Sequence, residues 1–519
     1  MEYLLPENLS PASLHDQLRS FAPCDAELPR QGRLRYFDSF DRRLFRQGMI
    51  LEEETEDGSP ALRLRHLGNG SALGATVGQA PDFATELPPG AFRDTLKGIL
   101  ENRRLFPLAE VHGLFQRLSL LNDQQKTVAR LFVLTRATGA DGKRDERRLP
   151  SRLRSEPVRG YEGELRKLDR FLRSGLCLET APDDLWHSLM AGAERAPGEY
   201  TSKPDLRFDP AQPTREAIRA ILASLLDTME RNLDGTRRDL DSEFLHDFRV
   251  AIRRTRAALG QLRGLMPTPV EERFRPEFAW LGTITTPVRD LDVHLLGFDG
   301  YCNLLPPEQS LDLAPLRERL IVHQRTAQRQ LAEELASPRF RKLLADWRAW
   351  TEKPALADAS WPESAALPLA PTANARIRKL LRRALREGAA IDDRSPPEDL
   401  HELRKTCKKI RYLLEFFQSL YPRDKISTLI KALKDLQENL GEFQDLEVHA
   451  QALRAFAMVP TAEPPLPPET LLAIGQLIER LRERQQPVRA EFAARFTAFA
   501  APGKLRLVHQ LFGKRALES

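Results

Sequence analysis

After Pro213 apolar residues recur at three- to four-residue spacing; before it they come in short runs broken by turn signals. TREAIRAILASLLDTMERNL (214–233), LHDFRVAIRRTRAALGQLRGLM (245–266) and LHELRKTCKKIRYLLEFFQSLY (400–421) each predict an amphipathic helix rich in strong helix formers. ALRLRHL (61–67) and VARLFVLTRA (128–137) instead predict strands, with turns at EDGS, GNGS and GADGK. The expected fold is multidomain: an α+β region with several antiparallel strands over 1–195, then an all-α remainder. Proline-rich stretches at 196–212 and 353–372 read as linkers, which sets helical segments at 213–352 and 373–519. A third, at 459–470, reads as a helix–helix connection inside the last segment.

Composition narrows the class. With 29% charged and 41% hydrophobic residues over 519 positions, the chain reads as folded and water-soluble. No apolar run is long enough to span a membrane, and the first residues lack the basic-then-apolar order of a secretory signal. Cys24, Cys177, Cys302 and Cys407 have no metal-ligand spacing and fit a reducing cytoplasm. The net charge of +5 is small, but residues 1–200 carry 29 basic and 30 acidic side chains, so the surplus lies wholly beyond them.

That surplus is organised by an internal repeat. His246-Asp-Phe-Arg249-Val-Ala-Ile-Arg253-Arg254-Thr-Arg256 overlies His401-Glu-Leu-Arg404-Lys-Thr-Cys-Lys408-Lys409-Ile-Arg411, 155 residues later. At the same offset Arg289-Asp-Leu-Asp-Val-His294 overlies Gln444-Asp-Leu-Glu-Val-His449. Histidine occurs only 10 times, so two coincidences at one offset indicate duplication. At about 100° per residue, His246, Arg249, Arg253 and Arg256 share a stripe about 80° wide, as do His401, Arg404, Lys408 and Arg411. Arg254 and Lys409 flank it. Leu245, Phe248, Ile252, Leu259 and Leu262 lie opposite in one helix; Leu403, Cys407, Ile410, Leu414 and Phe417 do so in the other. A solvated helix face ordinarily mixes charge signs. These stripes carry no acid, and like charges clustered twice in the same way point to an anion.

The paired His-x-x-Arg-x-x-x-(Arg/Lys)-(Arg/Lys)-x-Arg helices and the RDLDVH segment resemble the CHAD family (conserved histidine α-helical domain) over roughly 213–519. The resemblance implies two four-helix bundles related by pseudo-twofold symmetry, with a basic groove or pore that binds inorganic polyphosphate. The matching residues are His246, Arg249, Arg253, Arg254, Arg256 and Arg289 in the first copy and His401, Arg404, Lys408, Lys409 and Arg411 in the second. Gln444 stands where the first copy has Arg289, which puts a phosphate contact there in question.

The segment Tyr36-Phe37-Asp38-Ser39-Phe40-Asp41-Arg-Arg-Leu44, with Gly48 and Leu51, is similar to CYTH domains, which are triphosphate tunnels often fused before CHAD. Arg159-Gly-Tyr161-Glu-Gly-Glu-Leu165 is similar to a late part of that fold. The likeness implies an antiparallel sheet closing a tunnel. The Glu-x-Glu-x-Lys motif of the CYTH first strand is missing, however, and Glu52, Glu53 and Glu54 stand where phosphate-binding arginines belong. Three acids facing a triphosphate would repel it, so the domain is expected to be degenerate, a scaffold or a binder of something else.

No P-loop, GxGxxG, HExxH or GxSxG motif occurs. A His246-Asp247 metal site lacks an upstream histidine. Asp290 and Asp292 are expected to brace the ridge arginines, while His294 and His449 fit either packed core positions or ligands. Nucleic acid is the competing polyanion, but single-strand binders add aromatic platforms, and Phe248, Phe416 and Phe417 fall on the buried faces. The expectation is therefore a cytoplasmic, non-catalytic binder of inorganic polyphosphate, associated with polyphosphate granules and bacterial in type, with no cofactor, no metal and no membrane contact. The alternative is a CYTH-type metal-dependent triphosphatase with the helical region as targeting module. Histidine, with an ordinary pKa of about 6.5, would bind phosphate better as pH falls. Eight ridge contacts would give log K against log salt a slope of roughly −6.

Overall fold

The computed structural model describes residues 1–56, 59–68, 72–140, 147–190, 200–202, 205–353, 360–458 and 464–513. Parts of the expected turns at EDGS, GNGS and GADGK, and of all three proline-rich stretches, lie outside them. Two compact units emerge, Met1–Thr201 and Ser202–Ser519.

Among the described residues of the first unit, eleven strands form one antiparallel sheet. They are β1 (Glu2–Leu4), β2 (Cys24–Ala26), β3 (Arg30–Ser39), β4 (Met49–Glu56), β5 (Ser59–His66), β6 (Ala72–Val77), β7 (Leu105–Leu121), β8 (Thr127–Ala140), β9 (Arg147–Arg148), β10 (Arg152–Pro157) and β11 (Glu179–Thr180). The order is β11-β1-β10-β8-β7-β3-β4-β5-β6, with β2 on β7 and β9 on β8. The described α-helices beside it are α1 (Pro11–Phe21), α2 (Arg43–Arg46), α3 (Ala91–Leu100), α4 (Glu162–Arg170) and α5 (Leu185–Met190). The sheet curls. Strands β5 and β10 stand five inter-strand spacings apart, roughly 24 Å if flat. Yet Arg63 Nη1 of β5 donates to Glu156 Oε1 of β10 over 3.0 Å. The expected α+β architecture with an enclosed inner face is what forms. Asp38, from the motif that suggested CYTH, accepts from the backbone N–H groups of Ser39, Leu44 and Phe45 and so fastens α2 ahead of β4. Burial nevertheless pushes its carboxyl up to about 6.

In the second unit every described element is helical. The first half contains α6 (Thr214–Arg237), α7 (Ser242–Gln261), α8 (Thr268–Ile284), α9 (Thr286–Leu296), the short α10 (Phe298–Cys302) and α11 (Pro307–Ser310), α12 (Ala314–Ala336) and α13 (Pro338–Glu352). The second contains α14 (Leu369–Ala389), α15 (Pro397–Phe417), α16 (Arg423–Ala457), α17 (Pro468–Phe499) and α18 (Pro502–Phe512). Helices α14, α15 and α16 each begin 155 residues after α6, α7 and α8. The halves differ where proline does. Pro287 cannot donate into a helix, and α8 gives way to α9 there, whereas Glu442 at the matching place lets α16 run unbroken. Ser337 caps α13 just before Pro338, with its hydroxyl accepting from the Phe340 N–H.

Helices α6 and α7 pair in the first half, α14 and α15 in the second, and α7 packs on α15 between them. One continuous core joins the halves, from Ile218 and Phe248 through Trp347 to Ile410, Leu433 and Phe512. All ten apolar positions expected opposite the basic stripes are buried. Those stripes are therefore held on the outer faces of α7 and α15.

Candidate anion-binding site

Residues that the repeat makes equivalent meet each other. Arg253 of α7 lies within electrostatic reach of Lys408 of α15, its counterpart. His294 of α9 and His449 of α16, also counterparts, approach to 5.0 Å between ring centroids. Contact between equivalent positions is the signature of an isologous interface. The two basic ridges thus come near each other at Arg253 and Lys408, on the helices α7 and α15 that pack together.

Each ridge is seated in a similar way. Arg249 Nη1 donates to Thr285 Oγ1 at 2.7 Å, Thr286 Oγ1 at 3.1 Å and Gly282 O at 3.3 Å, where α8 ends and α9 begins. Its counterpart Arg404 lies against Gly441, the position equivalent to Thr286, and donates to Asp445 over 3.0 Å. Arg256 lies over Gly282, where a Cβ would sit 2.6 Å from Nη1. Its counterpart Arg411 donates to Gln437, the residue equivalent to Gly282, over 3.1 Å.

The electrostatics are crowded. Burial, then Arg404, Arg253 and Arg411, push the Lys408 ammonium down to about 8 against the pull of Asp445. Burial and Arg253 likewise hold Arg249 below the ordinary guanidinium range, although the group stays charged. Arg289 reaches the same neighbourhood, and its Nη1 is buried without a hydrogen-bond partner, as is Arg404 Nε. Such donors are costly unless something accepts from them. A cavity of about 610 Å³ is lined by Arg404, Lys408, Arg411, Gln437 and His449, and also by Glu438, Glu442 and Asp445.

Other sequence-derived positions fall differently. Arg254 is buried. It donates to the Ser202 carbonyl and, over 2.7 Å, to Glu415 of α15, and so ties the two helices together. Lys409 lines a separate groove along α14. His246 is half-buried on α7 and Arg253 is exposed. His401 Nδ1 lies 2.9 Å from Gln444 Oε1, so Gln444 orients that ring. The bracing expected of the acids holds only in part. Burial raises Asp290, whereas neighbouring Arg249 and Arg289 favour its charged form. Asp292 instead accepts from Gln324 Nε2 at 3.1 Å and is pushed up to about 6 by burial and Asp239. His294 is a core residue. Burial and His449 hold it down at about 4, and its Nδ1 lies 2.8 Å from the Tyr301 hydroxyl.

The inner face of the curled sheet corrects the reading of its three acids. Glu53 points to the other face, meeting Arg35 Nε at 2.8 Å and the Ala80 N–H at 2.7 Å. Glu52 accepts from Arg65 and Arg154, and Glu54 pairs with Arg117. The arginines sought after Leu51 are present, supplied by β5, β7 and β10. Burial opposes ionisation of Glu52, but Arg154 and Arg65 hold its carboxyl at about 2. Repulsion is therefore not what would exclude a triphosphate; the arginines are already paired with carboxylates.

Against known proteins, the model of the CHAD domain matches residues 220–454. The solved CHAD domain from the plant Ricinus communis is 26% identical, covering 58% of this chain and 96% of its own, with a TM-score of 0.49. PptA from Streptomyces chartreusis is 19% identical over 55% of this chain and 99% of its own, TM-score 0.41. An adenylate cyclase-like protein from Bacillus halodurans is 12% identical over 36% of this chain and 94% of its own, TM-score 0.26. No curated protein matches. The helical unit, with both histidine–arginine helices inside the matched stretch, carries a CHAD domain over residues 220–454.

Proposed function

We propose that the helical unit binds inorganic polyphosphate, without catalysis, where the ridges of α7 and α15 meet. The observation that carries this reading is the gathering of Arg404, Arg253 and Arg411 around the half-buried Lys408, whose ammonium is depressed first by burial and then by these cations. Like charges so placed destabilise the free protein, and a bound polyanion removes that cost. Arg249, Arg256, Arg289, Arg404 and Arg411 supply charge-assisted donors, Lys408 a point charge, and His246 and His401 a ring N–H each. Phe248, Phe416 and Phe417 are buried in the core, so none of them offers a base a stacking platform. Titration calorimetry with polyphosphate tests the reading. Arg253→Glu with Lys408→Glu should weaken binding about a hundredfold, at roughly tenfold per lost charge-assisted contact, and unchanged affinity would refute it. On this reading the chain gathers at polyphosphate granules, and the same double variant should disperse it.

The first unit serves as a scaffold on this reading, because each inner-face arginine named above already meets a carboxylate. Full-length protein with Mg²⁺ and tripolyphosphate should release no phosphate above background. Metal-dependent turnover that stops on chelation would establish a triphosphatase instead.

A further inference from the structure

A third cationic ridge lies on α14, outside both repeated motifs. Arg376, Lys379, Arg383 and Arg386 stand at offsets 0, 3, 7 and 10, the same spacing as the two ridges already described, with Arg382 beside them. Lys379, Arg382, Arg383 and Arg386 are exposed, while Ile377, Leu380, Leu381 and Ala384 face the core. With Arg263 and Lys409 they line a groove of about 590 Å³ in which none of the described lining residues is acidic. Arg383 meets Glu387 at 2.5 Å just outside it.

Duplication does not account for this ridge. The equivalent face of α6 carries Ile221, Ser224, Asp227, Thr228 and Arg231, and its single arginine pairs with Asp227 at 2.7 Å. Nor does the helix dipole, which favours cations only within the last turn and so reaches Arg386 but not Arg376. Five cations on the copy that departs from its own repeat point to a ligand met on that side alone.

The groove also connects. Arg263 and Gly260, at the end of α7, line it and line a second cavity of about 500 Å³ that contains Arg256 and Arg275 together with Glu271 and Glu272. Arg256 is the last member of the α7 ridge. Cations thus follow one another from the ridge, over the end of α7, and along α14. None of the groove's described lining residues is aromatic, which suits a base-free chain better than a nucleic acid.

We infer that this track binds the part of a long inorganic polyphosphate chain that extends beyond the site between the ridges, which makes affinity depend on chain length. The inference rests on the function proposed above and is separable from it. The experiment compares full-length protein with Lys379→Glu/Arg382→Glu/Arg386→Glu, all exposed positions, against tripolyphosphate, long-chain polyphosphate and single-stranded DNA. The expected result is at least a tenfold loss for long chains, a salt slope shallower by about 2, tripolyphosphate affinity within twofold, and an unchanged melting temperature. Unchanged long-chain affinity would overturn the track. So would equal losses for both polyphosphates, or a loss confined to DNA. Arg253→Glu/Lys408→Glu is the parallel control: if that variant keeps tripolyphosphate affinity, the proposed function fails whatever the track does.

Discussion

At the level of single residues, Lys408 is the most informative group. Its pKa falls on folding, so the free protein gains stability as pH rises from about 8 toward the ordinary lysine value of 10.5. A bound polyanion favours the ammonium, so binding takes up protons and affinity should fall as pH climbs above about 8. Lys408→Arg stays charged and should flatten that fall; parallel calorimetric titrations across pH would show it. Arg254 makes the opposite case. Arg254→Met removes a buried tie to Glu415 and should cost about 2–3 kcal/mol in denaturant unfolding, with tripolyphosphate affinity of the folded variant nearly unchanged. The stripes themselves were legible because a 3.6-residue period sorts side chains into faces without any tertiary knowledge. That Arg254 turns inward was not, because its partner stands 161 residues away on another helix. The mutual approach of His294 and His449 was hidden for the same reason.

Among elements, the helices followed from periodicity and their breaks follow from proline. The curl of the sheet did not, since what closes it are ion pairs between strands distant in the sheet. Glu52 shows the consequence. Its carboxyl is held at about 2 by Arg154 and Arg65 once folded, so the stability it contributes is present above about 4.5 and is lost as pH falls toward 2. Glu52→Gln leaves two buried arginines short of a counter-charge and should destabilise the first unit by about 3–5 kcal/mol. Circular dichroism melts at neutral pH would register it, and a loss under about 1 kcal/mol would mean the pair is relaxed by solvent. The apolar faces behave as their spacing implies: Phe248→Ala, in the shared core, should cost about 3–5 kcal/mol.

For the molecule as a whole, duplication did more than double the number of helices. It placed a basic stripe on each half and, through the packing of α7 on α15, brought Arg253 of one stripe within electrostatic reach of Lys408 of the other. The repeat is readable from histidine spacing within matching charge patterns, whereas the third ridge on α14 has no counterpart to align with. The most direct test is the salt dependence of long-chain polyphosphate binding in wild type and in Arg253→Glu/Lys408→Glu. Seven or eight phosphate contacts between the ridges predict a slope of log K against log salt at least as steep as about −5, made shallower by more than about 1.4 when both charges are reversed. A slope near −1, or the same slope in both proteins, would contradict the account.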